Sequence, residues 1–183
     1  MTRLSGLAGL LLWAAAAAAA QAQEVPLDQM NRDQALDFLR GSVIAQGTVT
    51  AQIDYADSRS GDHWRHTFAT SYQQVGGNAD RCNLHAHLVQ ARDGKPFVDI
   101  ADWGVDFDKV RAITYGPLAG RFEQIEAQKG NVSWRLQSTP EVWHVTLFGD
   151  NGGYNEFQFY SEAMAKDFSV AASRLRAVCG ATR

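Results

Sequence analysis

The chain has 183 residues, with 17 Lys and Arg against 20 Asp and Glu and a net charge of −3. Hydrophobic residues make up 45% and charged residues 20%, the balance of an ordinary folded domain. Such a slightly acidic chain lacks the basic excess of a general nucleic-acid or anionic-membrane binder, so no nucleic-acid partner is expected.

Residues 1–22 read as an export signal. Arg3 is a one-charge leader, residues 4–20 form an apolar run rich in Leu and Ala, and Ala20-Gln21-Ala22 places small residues where a signal peptidase reads. Cleavage is expected before Gln23. That leaves a single globular domain, 23–183, with its core in 43–180. The expected location is periplasmic or secreted, with no stable membrane insertion after cleavage. Cys82 and Cys179 are an even pair in an exported chain and predict one disulfide.

In chain order, Asn31 and Gln34 have the spacing of a capping box. A short helix is predicted to Arg40, stopped by Gly41. Residues 43–55 alternate: Val43, Ala45, Val49, Ala51, Ile53 and Tyr55 share one face of a predicted half-buried strand. After a polar turn at 58–62, Trp64, His66, Phe68, Thr70 and Tyr72 form the next alternating face. Cys82, Leu84, Ala86 and Leu88 then point inward, with His85, His87 and Val89 outward.

Asp93-Gly94 predicts a tight turn. Residues 97–107 are less regular and suggest a short strand and a turn on the core. Further strands are expected at 110–115, 121–127, 132–136, 142–148 and 154–160, separated by Gly-, Asn- and Pro-rich turns. The last element is a helix. Met164, Phe168, Ala172, Leu175 and Cys179 fall on one face, Ser161 is placed to cap it, and Gly180 to end it. Together these elements predict an α+β fold. An antiparallel β-barrel or sandwich carries a short N-terminal helix and a C-terminal amphipathic helix packed on the sheet.

The ending FQFYSEAMAKDFSVAASRLRAVCG and the central VDIADWGVDFDKVRAI resemble segments of small exported bacterial proteins with the pleckstrin-homology-like fold. The resemblance spans residues 43–180 and is one of layout. It implies a run of antiparallel strands closed by one helix, and it implies no lipid binding. The 56–63 loop carries Arg59 beside Asp57 and Asp62, not the basic pattern that holds inositol phosphates.

The sharpest chemical cluster is histidine. His85 and His87 share a strand face, and neutral imidazoles ligate zinc or copper, so His66, His85 and His87 form a candidate metal set if their strands adjoin and their faces agree. Asp57, Asp62 and His63, with Ser58 or Ser60, contain acid–base and nucleophile types, but no nucleophile elbow or zinc-protease helix organises them. Asp99, Asp102, Asp106 and Asp108 surround Trp103. Trp103, Asp102 and Asp106 are the candidate ligand-binding residues, because an exposed Trp in a concave loop marks binding surfaces. With no connected catalytic motif, the first expectation is an exported, non-catalytic binding or interaction module for a protein or small molecule, with no cofactor. The alternatives are a periplasmic metal-binding protein that uses the histidines, and a small hydrolase centred on Asp62 and His63.

Overall fold

The computed structural model describes residues 25–57, 59–121 and 134–180. The expected leader, the strand expected at 121–127 apart from its first residue, and the first two residues of the strand expected at 132–136 lie outside these residues. Helix α1 (Arg32–Gln46) starts in a complete capping box: the Gln34 amide donates to Asn31, and the Asn31 amide donates to the Gln34 side chain. It runs past Gly41 and ends at Gly47, whose φ of 63° suits a residue without a Cβ. Residues 43–46 therefore belong to a helix, not to the predicted strand. Val43 lies one helical turn beyond Leu39, and both are buried, so the helical period wins over the alternation that the same residues also satisfy.

Eight strands follow among the described residues: β1 (Val49–Asp57), β2 (His63–Asn78), β3 (Asn83–Arg92), β4 (Lys95–Asp106), β5 (Val110–Pro117), β6 (Trp134–Thr139), β7 (Trp143–Gly149) and β8 (Tyr154–Phe159). They form a five-stranded sheet in the order β4-β3-β2-β1-β6 and a three-stranded sheet in the order β5-β7-β8. Every pairing is antiparallel. The two sheets make a sandwich-like arrangement; the described strands do not close into a barrel. The Asp93-Gly94 turn joins β3 to β4 with both residues at positive φ. The segment read as irregular, 97–107, is one long strand followed by a 3-10 turn at Phe107–Lys109. Two register shifts against β3 break its alternation, which is why the sequence pattern is blurred there.

Helix α2 (Glu162–Gly180) begins with the Met164 amide donating to Ser161 Oγ at 3.3 Å. Its buried face, with Phe168, Ala172, Leu175 and Cys179, packs on α1 and on the small sheet. Phe168 meets Phe157 and Phe159 of β8 at 4.7 and 5.1 Å between ring centroids. The Cys82–Cys179 disulfide ties the last turn of α2 to the start of β3. Arg174 and Arg176 add ties, donating to the carbonyls of Met30 and Arg111.

A second, smaller apolar cluster lies at the other end of the large sheet. Val49, Ala51, Ile53, Leu118 and Val142 form it, with Trp64 and Phe68 against it. Leu118 opens a helical turn that includes Arg121, so Arg121 is not the start of a strand as predicted. Among the described residues, no helix is long and apolar enough to cross a membrane.

Candidate functional site

Over this second cluster lies an open cleft of about 270 Å³, lined by residues of both sheets. Its apolar side comes from the large sheet: Ala51 and Ile53 of β1, Phe68 of β2 and Phe97 of β4. The β1–β2 register sets Ala51 opposite Phe68, and that pairing makes a continuous floor. Phe68 and Phe97 meet edge to face at 6.1 Å, and Phe97 is 56% exposed at the rim.

The polar side comes from the small sheet by strand alternation. Phe157 and Phe159 turn to the helices, so Glu156 and Gln158 turn to the cleft. The β7–β8 register pairs Thr146 with Glu156 and His144 with Gln158, which puts all four on one face. Arg121 completes the wall. Its Nε lies 3.4 Å from Glu156 Oε2, and its guanidinium carbon lies 4.9 Å from the centre of the Tyr154 ring.

Glu156 is held from several sides. Gln158 Nε2 donates to its Oε1 at 3.3 Å, and the Tyr72 hydroxyl donates to its backbone carbonyl at 2.6 Å. Oε2 is buried and receives no hydrogen bond from the described residues. Arg121 at 3.4 Å and His144 Nδ1 at 3.8 Å are its charge neighbours, but the first lacks the alignment of a hydrogen bond and the second is too far for one. His144 Nδ1 instead sits 3.0 Å from Thr146 Oγ. Burial pushes the His144 imidazole below its usual range; Glu156 opposes that shift and Arg121 adds to it. The ring is therefore neutral at pH 7. Among the described residues the wall carries one positive and one negative group, Arg121 and Glu156. The same burial, helped by Glu156, pushes the Tyr72 phenol up, so it stays a donor.

The residues singled out in the sequence lie elsewhere. β2 and β3 are neighbours, but His66 lies on the inner face with Ile53 opposite it, whereas His85 and His87 lie on the outer face. His66 Nδ1 is 2.5 Å from Asp93, and His87 Nε2 is 2.6 Å from Asp99. The His85 ring lies over Gly76, where a Cβ would collide with it. The three histidines do not converge, because strand alternation separates them, and no group of three metal-ligating side chains forms among the described residues. Trp103 packs on Tyr72 and Phe157 at 5.2 and 5.0 Å. Asp102 is exposed, and Asp106 pairs with Lys109 at 2.6 Å. Of these three residues, Asp106 lines a polar recess with Lys109 and Asp150. Asp57 holds the β1–β2 turn, accepting from the Arg59 and Ser60 amides. Ser58 lies outside the described residues.

The sequence reading missed Arg121, Glu156, Gln158 and Gln90. The one available signal was weak: Glu156 and Gln158 alternate with Phe157 and Phe159, which puts them on the face away from the closing helix but leaves open whether that face meets water or the other sheet. No protein-family model, curated protein or solved structure matches the chain.

Proposed function

We propose that the protein is an exported, non-catalytic binding module that takes a small molecule in the cleft between its sheets. The observation that carries the reading is the cleft itself. It has an apolar floor, a short convergent polar wall and an open mouth, the usual composition of a ligand site, at a volume just below the usual range. Its lining supports binding more than turnover. Among the described residues that line it, Thr70 is the one hydroxyl and is 5% exposed, while His144 and Thr146 lie buried behind Glu156 and do not reach the cleft. The disulfide and the apolar leader support export.

The test uses N-phenyl-1-naphthylamine, a neutral fluorophore that brightens out of water. The mature protein is expected to give a saturable rise in emission. Phe97→Ala, an exposed rim change, should weaken binding by about fivefold or more through lost apolar contact. Tyr115→Ala, exposed away from the cleft, should not. An unsaturable signal, or equal effects of the two variants, removes the reading. Export is tested separately by sequencing the purified protein from its N-terminus: Gln23 is expected, and a retained Met1 contradicts it.

A further inference from the structure

We infer that the cleft selects a neutral amphiphile whose head group carries a hydrogen-bond donor beside an acceptor, a carboxamide being the simplest form. This rests on the cleft being a ligand site and concerns only what the polar wall recognises. Glu156 Oε2 is a buried acceptor with no donor aligned on it among the described residues. An acceptor buried in that state is costly, and Glu156 lines the cleft with 18% of its side chain exposed, so a turn of its carboxylate towards a ligand N–H supplies the hydrogen bond that Oε2 lacks. Arg121, within 3.4 Å of the same oxygen, supplies donors for an acceptor on the ligand. Gln158 and Gln90 line the cleft with amides that can serve either need.

Charge then decides among head groups. A carboxylate would meet Arg121 favourably but would place its charge against Glu156. An ammonium would meet Glu156 favourably but would sit against Arg121. The uncharged His144 compensates neither. A neutral head meets both partners with no like-charge contact, while its apolar body covers Phe68, Phe97 and Ile53.

Four compounds with one body separate these cases: 4-phenylbutanamide, 4-phenylbutanoate, 4-phenylbutylamine and butylbenzene. Each competes with N-phenyl-1-naphthylamine on the mature protein at pH 7. The amide is expected to displace the fluorophore at concentrations about tenfold lower than the other three, the worth of one well-made hydrogen bond to a charged partner. Glu156→Gln should move the preference towards the butanoate, and Arg121→Gln towards the amine. A charged compound that wins on the wild type, or four equal compounds, overturns the head-group assignment while leaving the cleft as an apolar site. Failure of the fluorophore to saturate overturns the cleft reading and this assignment with it. If either variant fails to fold by circular dichroism, the wild-type ranking decides alone.

Discussion

Replacing Cys82 and Cys179 together by alanine is the most severe change that leaves the cleft untouched. The bridge closes a loop with a sequence separation of 97 residues. The chain-entropy treatment of a loop of that length gives about 4.7 kcal/mol at 25 °C, because the unfolded chain regains the freedom the bridge removes. Both cysteines are buried in the main core at 5% and 3% exposure, so truncation adds a packing loss of about 1 kcal/mol. For a domain of this size, that sum corresponds to a fall in Tm of roughly 10–20 °C. Urea unfolding of the wild type and the double variant checks it. The midpoint should fall and the slope should rise, since the unlinked chain exposes more surface when it unfolds. A loss below about 1 kcal/mol with an unchanged slope would refute the reasoning. It would mean that the helix is held by its packing and by Arg174 and Arg176 alone.

Three further outcomes follow from the same contacts. Tyr72→Phe removes the hydroxyl that joins the large sheet to the Glu156 carbonyl and should cost about 1–3 kcal/mol in urea unfolding. Phe168→Ala empties the space between Phe157, Phe159 and the helices and should cost about 3–5 kcal/mol, with near-ultraviolet circular dichroism reporting the loosened aromatic core. The Thr67 amide and then His66 hold the Asp93 carboxyl below its ordinary 3.8. A lowered carboxylate stabilises the fold above that value, and the contribution is lost as pH falls through the folded value. Asp93→Asn should therefore flatten the acid limb of a Tm-against-pH curve below about pH 4, and an unchanged limb would remove Asp93 as a cause.

The elements that depend on local period were legible. The C-terminal helix, its Ser161 cap and the alternation of β2 and β3 follow from residues a few positions apart. So did the disulfide, because two cysteines allow one pairing. The first helix was shortened because Gly41 reads as a stop, although tertiary burial of Val43 carries the helix past it. β4 was blurred by its bulges. The candidate site was hidden for a different reason. Arg121 and Glu156 are far apart in the chain, and so are Ala51 and Phe97. Which of them meet depends on strand order and on how two sheets part, and residue periodicity encodes neither. Trp103 shows the converse. Its acidic neighbours left partial exposure open beside packing on the core edge; it is half-buried, with Tyr72 beside it on the large sheet and Phe157 against it from the small sheet.

The most direct measurement is a two-dimensional amide NMR titration of the isotopically labelled mature protein with 4-phenylbutanamide. Saturable shifts are expected at Ile53, Phe68, Gln90, Arg121, Glu156 and Gln158, which line the cleft, with His85 and His87 on the outer face unmoved. Shifts centred on the outer face, or no saturable shift at any concentration reached, would contradict a ligand site between the sheets.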